Sequence, residues 1–123
     1  MNAKQSKPGT GALRPIASLL SKSEKALGKL STGTWQHAML ERNIRALKLA
    51  SELINAGDEG LGDVGPEAWT EAGRALADMA RRTEESRRKF LPGTSQHSLQ
   101  DNRLKALRLA LKAVRGESGH RRV

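Results

Sequence analysis

Thr34, Gln36 and His37 recur sixty positions later as Thr94, Gln96 and His97, while Trp35 between them becomes Ser95. Each set follows a glycine, Gly33 or Gly93, and precedes a run rich in Ala and Leu. Residues of these types at this spacing could do two things. A threonine hydroxyl can accept a hydrogen bond from a first-turn amide and so start a helix. The histidine then falls at the third helical position, where Glu or Gln usually closes a capping box; a neutral imidazole could accept from the threonine amide in the same way. Alternatively, the amides at a helix start attract an anion, phosphate above all. The cap is the favoured reading and the anion site the second. A zinc site is not expected: two histidines without cysteine or a nearby carboxylate fall short of three or four ligands, and His120 sits near the C-terminus.

Other chemistry is thinly supported. No nucleophile stands beside a base at a diagnostic spacing, so the chain is expected to be non-enzymatic and to need no cofactor. Gly60, Gly62 and Gly65 spell a G-x-G-x-x-G. A dinucleotide fingerprint needs a strand before it and a helix after it, whereas here a helical pattern precedes it and Asp58, Glu59 and Asp63 would repel a pyrophosphate.

Charge is the stronger signal. The 123 residues carry a net charge of +9, which points to an acidic partner, nucleic acid first and an anionic membrane surface second. From Arg81 to Val123 there are twelve Lys and Arg against four acids, whereas residues 55–80 hold six acids against Arg74. Such asymmetry argues for binding better than net charge alone. Arg81, Arg82, Arg87, Arg88 and Lys89, with Lys105, Arg108, Lys112 and Arg115 on the following helix, are the expected phosphate contacts. The equivalent helix of the first half has Glu41, Arg45, Lys48 and Glu52, where opposite charges meet four apart. There Glu52 occupies the position that Lys112 takes in the second half, so only the second half reads as a basic stripe.

These residues need elements to position them. At the sixty-residue offset Arg14 also aligns with Arg74, Ala17 with Ala77, Glu24 with Glu84 and Lys29 with Lys89, without a gap. This reads as an internal duplication, with units over 12–54 and 72–114. Each unit is helix, short turn, helix. Ile16, Leu19, Leu20, Ala26, Leu27 and Leu30 follow helical spacing, as do Leu76, Met79, Ala80 and Phe90 after Trp69 and Ala72. Pro15 and Pro66 suit helix starts, and Gly57 and Gly116 suit helix stops. The second helices carry wide apolar faces (Met39, Leu40, Ile44, Ala46, Leu47, Ala50, Leu53 and Ile54 in the first), so each should pack on two sides.

One such hairpin is too small to bury a sufficient core. The expected fold is therefore an all-α four-helix bundle of two tandem αα-hairpin repeats with an approximate two-fold axis. Its parts are a disordered basic arm (1–11), a first hairpin (12–54), a Gly/Asp-rich linker (55–66), a second hairpin (67–115) and a basic C-terminal tail (116–123). The Ala46/Ala106 and Ala50/Ala110 pairs permit close helix approach.

Composition narrows the function further. With no Cys, disulfides and thiolate metal sites are excluded. Aromatic content is only 2%, so only Trp35, Trp69 and Phe90 could supply a base-stacking platform. No apolar run approaches a membrane span and no secretory segment is read at the N-terminus, so a cytoplasmic protein is expected. The leading reading is a small non-enzymatic protein that binds DNA or RNA phosphates through its basic C-terminal half. The alternative is a helical interaction module, an adaptor, inhibitor or assembly subunit on an acidic protein surface, which exposure of Trp35 or Trp69 would favour. A homodimer and peripheral contact with anionic lipid are further options.

Overall fold

The structure is a computed structural model, and it describes residues 10–56 and 64–121. Four helices account for nearly all of them: α1 (Leu13–Leu27), α2 (Trp35–Ala56), α3 (Pro66–Arg87) and α4 (Ser95–Arg121). A 3-10 turn at Thr10–Ala12 leads into α1. Among the described residues there is no strand, and no helix is long and apolar enough to cross a membrane. The N-terminal segment 1–9 and most of the linker, 57–63, lie outside the described residues.

The helix boundaries have local causes. Pro66 occupies the first turn of α3 after an extended Gly65, where its missing amide has no intrahelical partner to lose. Pro15 lies in the first turn of α1. Between α1 and α2 the chain turns through Gly33 at φ +94°; between α3 and α4 it turns through Gly93 at φ +93°. Only glycine takes this conformation without steric cost. The turn bonds also match. Lys29 N donates to Ala26 O and Lys89 N to Ser86 O, both at 3.1 Å, while Leu30 N donates to Leu27 O and Phe90 N to Arg87 O, again at 3.1 Å.

Gly116 does not stop α4, which runs on to Arg121. A glycine stop works by entering the left-handed region, and among the described residues only Gly33 and Gly93 have positive φ. The expected break at residue 116 is thus replaced by a helical extension.

The helices pack in order, each antiparallel to the next. Met39 of α2 lines a cleft with Asp78 of α3, and towards the other end of α2 Glu52 lines one with Val64 and Ala68. Arg87 of α3 meets Asp101 near the start of α4, while Gly73 lies beside Arg115. The first residues of α1 lie against the middle of α4. Helices α2 and α4 therefore run parallel, and the two interhelical turns sit at the same end of the bundle.

The core lies toward the opposite end. Trp69, Ile16, Leu47, Leu76, Leu104, Leu107 and Val114 are fully buried. Residues sixty apart share this environment: Ala12 with Ala72, Ile16 with Leu76, Ile44 with Leu104, Ala46 with Ala106, Leu47 with Leu107, Ala50 with Ala110, and Ile54 with Val114 are all buried. Helices α2 and α4 approach each other diagonally across this core, and their small alanines make room for both backbones. Toward the turns burial fades. Leu27, Leu30, Met39, Leu40 and Phe90 are only half-buried, and no residue of α2 before Ile44 or of α4 before Leu104 is buried.

Candidate functional site

The two threonines sit at the helix starts. Thr34 Oγ1 accepts from His37 N and Thr94 Oγ1 from His97 N, each at 3.2 Å. Both hydroxyls in turn donate to a carbonyl of the preceding turn, Ser31 O at 2.9 Å and Leu91 O at 2.7 Å. The histidines do not close the box that their position suggests. The amides of Thr34 and Thr94 donate instead to Ser31 O and Leu91 O, at 3.4 and 3.2 Å. The turn carbonyl reaches the threonine amide first, so no imidazole is needed there. His37 Nδ1 instead lies 3.6 Å from Glu41 Oε1, one turn on. Gln36 and Gln96 are exposed. Among the described residues no group of three or more His, Asp or Glu is placed to hold a metal ion.

The basic stripe is rearranged by the tertiary structure. Arg81 reaches Asp78 at 2.7 Å and Glu85 at 3.2 Å, and Arg82 reaches Asp78 at 3.2 Å. Arg87 spans the seam between α3 and α4 to Asp101 at 2.7 Å, and Lys105 meets the same carboxylate at 3.1 Å. Arg88 and Arg108 share Glu84, at 3.4 and 3.3 Å. Six of the nine expected phosphate contacts are thus ion-paired, while Lys89, Lys112 and Arg115 have no ion pair among the described residues. Two ionisations move accordingly. Hydrogen bonds from Arg87 and then Lys105 hold the Asp101 carboxyl below its ordinary range. The bond to Asp78, aided by the charges of Glu85 and Asp78, raises the Arg81 guanidinium.

The first half departs from its expected self-pairing. Lys48 does not meet Glu52 within α2; it reaches across to Glu24 of α1 at 3.7 Å. Sixty residues on, Arg108 makes the same crossing to Glu84. The helix seam, rather than the i,i+4 ladder, decides these partners, because residues 48 and 108 face the preceding helix of their own hairpin.

What remains open on α4 is the side turned toward α1. There Gly11, Ala12, Arg14 and Pro15 face Asn102, Lys105, Ala106 and Leu109 across a cleft of about 500 Å³. Among the described residues no carboxylate lines it. Lys112 continues the Lys105 row seven residues on, on the same helical face. A second cleft, of about 300 Å³, lies between α2 and α3 at positions sixty residues removed, and it contains Arg42, Arg45 and Lys48 but also Glu52 and Glu71. Gly11 stands where the second cleft has Glu71, and Lys112 where it has Glu52. Arg14 is a cationic wall that sequence reasoning left out. It aligned with Arg74, but nothing in its own helix said that it would face Lys105.

The tryptophans separate. Trp69 is fully buried and cannot anchor a partner, whereas Trp35 is 68% exposed. No family model, curated protein sequence or solved structure matches this chain.

Proposed function

We propose that this protein is a non-enzymatic binder of nucleic-acid phosphates, and that its contact surface is the cationic cleft between α1 and α4. The observation that carries the reading is the one-sided lining of that cleft. Arg14 and Lys105 both line it, with no acid among the described residues that do, and Lys112 extends the row. Exposed ion pairs contribute little stability and exchange readily. Lys105 and Arg108, both well exposed, can therefore turn to phosphate, while Arg87, half-buried against Asp101, serves the α3–α4 seam.

Contacts of this kind carry affinity and no base sequence. Contacts from Arg14, Lys105, Lys112 and the neighbouring Arg108 give a log–log salt slope of roughly −3.6 on duplex DNA. Fluorescence anisotropy with a labelled duplex, from about 50 to about 200 mM salt, measures it. The variant Lys105→Glu/Lys112→Glu removes two contacts and flattens the slope by about 2 units. Absence of DNA and RNA binding at the low-salt end rejects the proposal. Co-purification of one stoichiometric protein that survives nuclease treatment selects the alternative, an adaptor on an acidic protein surface.

The same proposal takes the two hairpins as copies of one sixty-residue unit related by an approximate two-fold axis. Matched burial, matched turn glycines and the paired Lys48–Glu24 and Arg108–Glu84 crossings support this. One cleft then mixes cations with acids while the other is lined by cations alone.

A further inference from the structure

The turn end of the bundle carries a different surface from the α1–α4 cleft. Trp35, the first residue of α2, is 68% exposed; Leu91, in the turn before α4, is 75% exposed. Both belong to the parallel pair of hairpin tips, so both project from the same end. Their counterparts sixty residues away are Ser95 and Ser31, so each tip presents one large apolar side chain in place of a serine. Burying neither contributes to the core, and two such residues on adjoining turns are not accounted for by folding.

The charge around them is one-sided. No Asp or Glu occurs from Lys25 through Leu40 or from Ser86 through Gln100. Over those stretches the cations are Lys25, Lys29, Arg87, Arg88 and Lys89. Arg87 is tied to Asp101 and Arg88 leans back to Glu84, but Lys25, Lys29 and Lys89 have no ion pair among the described residues. A second copy of the chain would bring like charges together here and is disfavoured. An anchor for a protein partner sits best where neighbouring groups exclude water from it, and Gln36 next to Trp35 and Pro92 next to Leu91 are themselves exposed. A projecting indole and a projecting leucine within a ring of lysines suit a lipid surface. Indole favours the headgroup level, aliphatic side chains favour the acyl boundary, and cations favour anionic headgroups.

We propose that the turn end docks on an anionic bilayer, with Trp35 and Leu91 inserted at the headgroup level and Lys25, Lys29 and Lys89 facing the headgroups. This surface is separate from the α1–α4 cleft and does not depend on the phosphate-binding reading of that cleft.

The test uses the full chain with phosphatidylcholine vesicles, with and without about a third phosphatidylserine, at low salt. Co-sedimentation should appear with the anionic vesicles and be near absent with the neutral ones. Trp35 emission should shift to the blue on binding, since Trp69 is already buried. The double variant Trp35→Ser/Leu91→Ser places at each tip the residue that the other hairpin carries there. It should stay folded and lose vesicle affinity by at least about tenfold. Lys29→Glu/Lys89→Glu should lose affinity by about fivefold or more per charge, while Lys105→Glu/Lys112→Glu should bind vesicles as the parent does. Absence of sedimentation with anionic vesicles overturns the proposal. So does binding that survives loss of Trp35 and Leu91 but not of Lys105 and Lys112, which would assign lipid to the cleft. Concentration-dependent self-association abolished by the double serine variant, with no vesicle binding, would assign the tips to a second copy.

Discussion

The cleft between α1 and α4 and the cleft between α2 and α3 are lined by residues sixty positions apart, yet the first is lined by cations alone and the second by cations and acids. Their floors are alike: Ala12 and Ala106 in one, Ala72 and Ala46 in the other. The difference lies in the rims. Glu71 and Glu52 of the second cleft correspond to Gly11 and Lys112. Packing demands the small residues on the floor, because backbones approach closely there. It makes no demand on the rim, where side chains meet water. Charge can therefore differ between the two clefts without disturbing the interior. The net charge of the second half is a poor guide to where its free cations lie, since Arg81, Arg82 and Arg88 are paired along α3 and Arg87 and Arg108 across the α3–α4 seam.

Several substitutions break or sharpen this comparison. The largest effect is expected at Trp69, whose counterpart sixty residues earlier is Gly9, so that the indole belongs to the second hairpin alone. Trp69→Ala should cost about 3–5 kcal/mol, whereas Leu47→Ala and Leu107→Ala, fully buried counterparts, should cost about 2–5 kcal/mol each and similar amounts. Chemical denaturation checks all three, and a wide gap between Leu47→Ala and Leu107→Ala would show that the hairpins do not share the core equally. Next comes the charge of the rims. Glu52→Lys should make the α2–α3 cleft resemble its partner and raise nucleic-acid affinity by about fivefold to tenfold in the anisotropy assay, with a steeper salt slope. No gain in affinity would mean that rim charge alone does not make a site.

Smaller effects fall on the turns. Gly33→Ala and Gly93→Ala should each cost about 1–2 kcal/mol, because both glycines hold a left-handed φ while open space surrounds the position of the missing Cβ. Thr34→Ala and Thr94→Ala should cost about 1 kcal/mol each through the lost cap. Thermal melts of the four variants give the values, and unequal costs within either pair would separate the two tips.

The smallest effect is a dependence on pH that belongs to the second hairpin. Asp101 is held below its ordinary value near 3.8 by hydrogen bonds from Arg87 and Lys105. A carboxylate whose pKa is lowered by folding stabilises the folded state above its unfolded pKa, and that contribution disappears as pH falls through the lowered one. Melts between neutral pH and the acid range should therefore show a stability component that is lost below about pH 4 and that Asp101→Asn removes.

Much of the architecture was legible in the residue order. Helical spacing of Ile16, Leu47 and Leu76 pointed to helices, and all three residues are buried. Thr34 and Thr94 marked helix starts, and both hydroxyls accept the expected first-turn amide. Gly116 misled because glycine ends a helix through a conformation that the sequence only permits. The histidines misled because the competing acceptors, Ser31 O and Leu91 O, belong to a turn whose geometry is set by Gly33 and Gly93. The arginines misled most. Arg87 and Asp101 are fourteen apart in sequence and Arg108 and Glu84 twenty-four apart, at separations that no single-helix rule couples.

The sequence by itself determined periodicity, caps, turn glycines and the sum of the charges, because each of these depends on neighbours within a few residues along the chain. Tertiary structure alone decided that Arg14 faces Lys105, that Trp69 is enclosed while Trp35 and Leu91 project, and which cations are neutralised. Those outcomes depend on which faces of separate helices are brought within a few ångströms of one another, and electrostatic pairing at that range follows the distance through space and not the distance along the chain.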